Sequence, residues 1–438
     1  MLKLRSDLEE KAVAEVARGS DELSALVCEL IACDTTARDP GDPAHDEEKL
    51  ERILDTRLKA VGATTEIWEP EPIGPGHPYI DAELDFHGRP QLVANIAGSG
   101  GGRSLLLNGH VDAVDIGMRE LWSSDPLHAD VRDGRMYGRG SCDMKGGLAS
   151  LEFAVEALHR AGIRLRGDIV FCANTDEESS GVGAWATVRH GVHADAGICA
   201  EPTGFDVYAA CRGISTGVLT VTGRSGHAEM PQPHWTAGGA VNAIEKALPL
   251  IDSLRRLREE WRLRPDQQHP LLSPSAIVPT ILKSGTWSVT YPETCQLTCD
   301  FEYLPHMIDA QGTGAPAHAE VMEWTAAVAA GDPWLAEHPP RWEWIDDNPP
   351  AEVAPDHEIV TLALGAGADI GRTGRVTGLD SWADAATYTL HGHTPTVSFG
   401  PGELHYAHAI DENVPIQDLI DHCSAVTLIL MRWCGTAD

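Results

Sequence analysis

With 438 residues, 42% of them hydrophobic, the chain can bury a large core, and its length favours two domains over one. Its 33 Lys and Arg against 66 Asp and Glu give a formal net charge of −33, which disfavours partners held through nucleic-acid phosphates or anionic lipid. Residues 1–10 lack an apolar signal core, no apolar run reaches membrane-spanning length, and the ten cysteines follow no disulfide-framework spacing, so a cytoplasmic protein with reduced thiols is expected.

Residues 6–32 mix apolar and charged side chains at helical spacing, with Val13, Val16, Leu23, Leu26, Val27 and Leu30 available to cover a sheet. Residues 37–43 read as loop and 46–61 as a second helix. Strands are expected at 64–68, 91–97 and 104–107. Gly98-Ser99-Gly100-Gly101-Gly102, between the last two, reads as a hairpin turn; a dinucleotide fingerprint would have to open a helix, and this segment leads into a strand. A long helix is expected from just after Asp143-Met144-Lys145 to about residue 161. Gly146-Gly147 after that lysine, where a phosphate loop needs Ser or Thr, argues against a nucleotide-triphosphate site.

From 205 to 345 the pattern changes. Strand 214–221, helix 237–257, strands 275–282 and 294–303, helix 315–330 and strand 341–345 give the βαββαβ order of ferredoxin-like modules. The expected organisation is therefore a catalytic domain at 1–204, an inserted domain at 205–346 and the rest of the catalytic domain at 347–438. Cys295 and Cys299, four apart in one strand, have no second pair with which to form a zinc ribbon and read as packing.

Two short apolar runs end in potential metal ligands: Leu105-Leu106-Leu107-Asn108-Gly109-His110-Val111-Asp112 and Ile169-Val170-Phe171-Cys172-Ala173-Asn174-Thr175-Asp176-Glu177-Glu178. Such runs suit parallel strands covered on both faces, and open α/β sheets place their chemistry beyond the strands' carboxyl ends. Asp143, among the glycines of Gly138-Arg139-Gly140-Ser141-Cys142-Asp143, is a third candidate ligand. Glu201, between the apolar run 196–200 and Pro202, is a fourth, and His408 is a fifth. Each has an ordinary reading on its own: a hydrogen-bonded core histidine, a turn acid, a solvated loop acid. Together, two histidines and three carboxylates form a mixed nitrogen and oxygen set suited to zinc and related divalent ions. Asp143, fixed by its glycines, fits a bridging position between two such ions. Cys142, beside an acid and without an evident base, reads as a packed thiol.

The chain resembles the dinuclear zinc family of acetylornithine deacetylase, succinyl-diaminopimelate desuccinylase, aminoacylase and carboxypeptidase G. The matching segments are Gly109-His110-Val111-Asp112, the run from Tyr137 to Gly147, Asp176-Glu177-Glu178, Glu201-Pro202-Thr203, Gly223-Arg224-Ser225-Gly226-His227-Ala228, and Phe399-Gly400-Pro401-Gly402 with His408, in family order. The resemblance implies an α/β fold, a mixed and mostly parallel sheet covered by helices in a zinc exopeptidase-like catalytic domain, with the ferredoxin-like insertion as a lid and dimerisation domain. It implies that His110 and Glu201 hold one zinc, Glu178 and His408 the other, with Asp143 bridging. Glu177 would be the general base toward a metal-bridging water, Asp112 would orient His110, and His227 would reach into the partner subunit of a homodimer to bind the acyl oxygen. Cobalt and manganese are alternatives to zinc.

The implied reaction is hydrolysis of the amide of an N-acylated amino acid or related amine, with a dipeptidase or carboxypeptidase as the alternative enzyme and a non-catalytic metal-binding protein as the alternative class. The presence of Glu177 argues against the last. The substrate is expected to be small, an N-acyl amino acid or short peptide. Relatives often carry Asn near Ser288-Val289 and an arginine in the strand here written Asp300-Phe301-Glu302-Tyr303. The acids in place of that arginine put recognition of an amino-acid carboxylate by that route in doubt. Arg212 is a possible substitute clamp, and a cationic or unusual substrate is the other possibility.

Overall fold

The computed structural model describes residues 2–36, 44–74 and 76–437; the loop expected at 37–43 lies outside the described residues. The helical stretch expected over 6–32 is two helices, α1 (Asp7–Arg18) and α2 (Ser20–Ile31). They part at Gly19, where a Cβ would lie 2.5 Å from the Phe153 ring, so a residue with a side chain there would collide with the core. Then follow α3 (Glu47–Ala60), β1 (Thr64–Trp68), β2 (Gln91–Ile96), β3 (Leu105–His110), β4 (Asp130–Arg132), β5 (Arg135–Tyr137), α4 (Lys145–Arg160), β6 (Ile169–Asn174), α5 (Val182–Arg189), β7 (Ala196–Cys199) and β8 (Val207–Cys211).

The hairpin expected between β2 and β3 does not form, because β6 lies between them in the sheet, antiparallel to β2 and parallel to β3. The glycine segment instead wraps the entry to β6: Ser99 and Gly100 donate to the carbonyls of Leu165 and Arg166, each at 2.9 Å. Gly102 sits where a Cβ would come within 2.0 Å of the Cys434 carbonyl, so close backbone approach, rather than a tight turn, explains the glycine.

The inserted region supplies β9 (Gly213–Thr222), α6 (Ala243–Trp261), β10 (Ala276–Ser284), β11 (Thr294–Tyr303), α7 (Ala315–Ala329), α8 (Pro333–Glu337) and β12 (Arg341–Trp344). Its four strands form an antiparallel sheet in the order β10-β11-β9-β12, with one apolar cluster joining β9 and β11 to α6 and α7. Helix α6 starts later than the expected 237, because Asn242 accepts hydrogen bonds from the N–H groups of Ile244 and Glu245 and so caps it there. The chain then returns through β13 (Ala351–Glu352), α9 (Glu358–Asp369), β14 (Val376–Leu379), α10 (Ala385–Leu390), β15 (Thr396–Ser398), β16 (Asn413–Pro415) and α11 (Ile416–Cys434).

The large sheet has nine strands in the order β1-β2-β6-β3-β7-β15-β8-β13, with β14 paired to β8. Its centre, β6, β3, β7 and β15, is parallel, and both flanks carry antiparallel pairs. Strand β8, which falls in the 205–346 interval, pairs within this sheet, so the small sheet begins at Gly213. Strands β3, β6 and β7 are buried along their whole length. Leu105 and Leu107 pack with residues of α1, α2, α4 and α11 on one face, while Leu106 packs with α5 and Tyr388 of α10 on the other. No helix among the described residues is long and apolar enough to cross a membrane, and the ten cysteines are unpaired.

Candidate metal centre

The register that pairs His110 with Asn174 brings the carboxyl ends of β3 and β6 side by side, so His110, Asp112, Glu177 and Glu178 emerge at one place. Beneath them a buried amide network holds the strand ends together: Asn108 donates to Asn174 at 2.6 Å, and Tyr388 donates to the same Asn174 oxygen at 2.7 Å. His110 Nδ1 donates to the Asp112 carbonyl at 2.8 Å, which turns Nε2 toward Asp143 Oδ1 at 3.2 Å. The Asp112 carboxylate has partners of its own. Its oxygens accept the backbone N–H groups of Glu177 (3.3 Å) and Glu178 (3.0 Å), while His110 Nδ1 stands 3.7 Å from Oδ1. Asp112 therefore fixes His110 through its main chain and the Glu177-Glu178 turn through its side chain.

Asp143 lies between the two histidines, its Oδ2 3.4 Å from His408 Nε2, and His408 Nε2 is also 3.1 Å from Glu178 Oε2. Ligand atoms of His110, Asp143 and Glu178 lie within 4.8 Å of one another. Glu177 Oε2 is 4.0 Å from His110 Nε2. Glu201 is buried on the wall of the same cavity, with Oε1 3.7 Å from Cys199 Sγ.

Glu412 is the residue that sequence reasoning passed over. Its buried carboxylate accepts the N–H groups of Gly140 (3.1 Å), Cys142 (2.8 Å) and Asp143 (3.0 Å) and pairs with Arg139 at 2.6 Å, so it clamps the loop that presents Asp143. The available signal was an arginine inside the Gly138–Gly140 run and an acid four residues after His408.

The electrostatics show a cluster short of positive charge. Burial, together with the charges of Glu201 and Glu178 and against the pull of His110, pushes Glu177 well above the usual carboxyl range. Burial and Asp143 raise Glu201 strongly and Glu178 to about 7. Burial opposes charge on His110, yet Asp143, Glu177 and Asp112 raise it well above an ordinary imidazole, and hydrogen bonds to Asp143 and Glu178 raise His408 to about 10. Glu178 Oε1 is buried without a hydrogen-bond partner, and a neutral His110 would point its lone pair at a carboxylate oxygen. Divalent cations resolve both problems, so the residues present fit such ions.

A cavity of about 320 Å³ opens over these groups and is walled by Asp143, Glu177, Glu178, Glu201 and His408 at one end. Ser215, Thr216, Asp300, Asp346, Asn348, Leu379 and Trp382 form the other end, and the wall contains no lysine or arginine among the described residues. The clamp expected of Arg212 is corrected by its contacts. Its guanidinium is buried against Glu302 (2.8 Å) and Asp380 (3.5 Å), donates to the carbonyls of Pro274 and Asp380, and is not part of the cavity wall. His227 is exposed on the inserted region, where its Nδ1 accepts the Glu229 N–H at 3.3 Å, and it does not reach the cavity of its own chain.

The model of peptidase family M20/M25/M40 matches residues 106–432, which span all the candidate ligands. The chain is similar to an N-formyl-4-amino-5-aminomethyl-2-methylpyrimidine deformylase of Halalkalibacterium halodurans, 28% identical with 97% of each chain covered. It is also similar to an acetylornithine deacetylase of Salmonella newport, 28% identical over 78% of this chain and 83% of that protein. Among solved structures, aminopeptidase PepT from Bacillus cereus shares the fold with a TM-score of 0.68 at 20% identity, covering 94% of this chain and 98% of that one.

Proposed function

Because the chain belongs to peptidase family M20/M25/M40 and is a metal-dependent amide hydrolase, we propose that it removes a small acyl group, formyl or acetyl, from an amine nitrogen. His110 and Glu201 would hold one divalent ion and Glu178 and His408 a second, with Asp143 shared; zinc is the first choice, cobalt or manganese the others. The observation that carries this reading is the convergence of His110, Asp143, Glu178 and His408 beside Glu177 at one end of a small cavity. Ions so placed polarise an amide carbonyl and make water acidic.

Glu177 supplies the proton traffic. Standing beside the ligands His110 and Glu178, its carboxylate would take a proton from the attacking water and return it to the departing amine nitrogen. Asp112, by binding the Glu177 and Glu178 amides, keeps the base and a ligand in fixed relation. His227 would bind the acyl oxygen in the neighbouring subunit of a homodimer, consistent with its exposure and with the exposed Ile281, Leu282 and Trp287 on the same small unit.

A deacylase is favoured over a carboxypeptidase because a terminal carboxylate finds no cation in the cavity wall. Of the two substrate classes in the relatives' names, an N-formyl aminomethylpyrimidine has no carboxylate to place, whereas an N-acetyl amino acid meets the same lack of a cation as a peptide terminus. A cytoplasmic setting agrees with ten unpaired cysteines. The test is metal analysis combined with hydrolysis of N-formyl, N-acetyl, N-succinyl and dipeptide substrates by the loaded enzyme. Full activity in metal-free protein, or cleavage of dipeptides alone, would overturn the reading.

A further inference from the structure

Part of the cavity wall is built on the open face of the small sheet. Asp300 on β11 stands opposite Thr216 on β9 in the antiparallel register, and both line the cavity. Opposite residues of such a pair bring their side chains to about 5 Å of each other. Asp346, just past β12, accepts the backbone N–H of this same Thr216. Two carboxylates therefore converge on one point of the wall.

Asp346 has that hydrogen bond, while no hydrogen bond or ion pair engages the Asp300 carboxylate among the described residues. The nearest guanidinium, Arg212, is committed to Glu302 and to the Asp380 and Pro274 carbonyls. Any ions bound at the other end would be balanced by Asp143, Glu177, Glu178 and Glu201, which leaves this wall negative in a chain of net charge −33.

We infer that this wall is the subsite for the amine half of the substrate and takes a nitrogen-rich, N–H-donating cation or amidine edge, gripped by Asp300 and supported by Asp346, in place of an amino-acid carboxylate. The inference rests on the deacylase reading and narrows its substrate class to amines of the aminopyrimidine kind. Two parallel N–H groups match the two oxygens of a carboxylate, a bidentate pairing that fixes orientation as well as adding energy. Burial raises Asp300's affinity for a proton, so the pair of aspartate and ring nitrogen can hold one proton between them whichever partner brings it. A substrate carboxylate in the same place would face two acids and no cation.

The test uses the zinc-loaded enzyme with four formamides of similar size: an N-formyl aminomethyl-aminopyrimidine, N-formylputrescine, N-formylbenzylamine and N-formylalanine. The expected order of kcat/KM puts the aminopyrimidine first and N-formylalanine last, with putrescine telling whether bare cationic charge suffices. In Asp300→Asn, checked for unchanged zinc content, the preference for aminopyrimidine over benzylamine should fall about 10- to 100-fold, chiefly through KM, as expected for loss of a charged hydrogen bond. N-formylalanine cleaved as well as the aminopyrimidine, or an unmoved preference in the variant, would overturn the inference. Calorimetric binding of benzamidine to the parent and to Asp300→Asn reads the wall without turnover. Binding to the parent that weakens with salt and is lost in the variant supports the inference, and equal binding to the two proteins overturns it. If no formamide is hydrolysed yet benzamidine binds selectively, the deacylase reading fails while the wall assignment stands.

Discussion

The two larger sheets among the described residues use their strands in opposite ways. In the nine-stranded sheet, β3, β6 and β7 are buried from end to end, and ionisable metal-ligating or catalytic candidates appear only where they stop, at His110, Glu177 and Glu201. In the four-stranded sheet, β9 and β11 alternate between buried and half-exposed residues, and the half-exposed face carries Thr216, Asp300 and Glu302. A fully covered strand can offer function only at its tip, where a strand covered on one side offers a whole face. On the proposed reading the reaction belongs to the first sheet, and selection of the substrate and contact with a second subunit belong to the second.

The largest effect that would break this division comes from Asp143, whose carboxylate lies 3.2 Å from His110 and 3.4 Å from His408. Asp143→Ala should abolish activity and strip the metal, since both ions lose a ligand at once. Metal analysis alongside turnover checks it, and an active variant with full metal would remove Asp143 from the centre. Next in size is Glu177→Gln, which keeps shape and removes the proton acceptor. Turnover should fall by roughly 10² to 10⁴ with metal retained. A matching loss of metal would show that Glu177, and not its neighbour Glu178, is the ligand.

Much of this was legible in the residues, for reasons that differ between the sheets. The tips of β3 and β6 announce themselves because a buried apolar run can end in charge only where something uses that charge. The βαββαβ order of the insertion was legible from periodicity alone, with β11 at its expected bounds. What stayed hidden depends on partners distant in sequence. The segment 98–102 looks like a hairpin because nothing in it reveals that β6, some seventy residues on, will lie between its neighbours. Arg212 looks like a free clamp until Glu302 and Asp380 are seen to occupy it. Glu412 looks like any loop acid until three backbone N–H groups converge on it.

A smaller but sharper effect tests the link between the two units. If His227 serves the neighbouring subunit, Glu177→Gln and His227→Ala chains, each inactive alone, should regain part of the activity when mixed and allowed to exchange. The mixed dimer joins one intact Glu177 with one intact His227 in a single composite site. Exchange seen by native mass spectrometry with no recovered activity would confine His227 to its own chain.

The smallest expected effect compares the two units in stability, through one buried histidine in each. His422 on α11 packs in the large unit with Nε2 bonded to the Phe399 carbonyl at 2.9 Å, and burial lowers its pKa to about 3. His318 on α7 stacks on Trp344 with ring centroids 3.9 Å apart, and burial lowers its pKa to about 4. In an unfolded chain both would titrate near 6.5. Below that value the unfolded state takes up protons that the folded state refuses, so each histidine leaves stability intact at pH 7 and erodes it as pH falls from about 6.5 toward its folded value. The limiting slope is about 1.4 kcal/mol per pH unit per histidine. The raised carboxyls of the metal-free centre act in the opposite direction, so the informative quantity is a difference between variants. Denaturant unfolding of the metal-loaded parent, His422→Gln and His318→Gln at pH 7 and 5.5 should show a shallower acid loss in each variant than in the parent. If the two units unfold separately, each variant will flatten only the transition of its own unit. Equal pH slopes in all three proteins would mean that both imidazoles become charged without leaving their places in the fold.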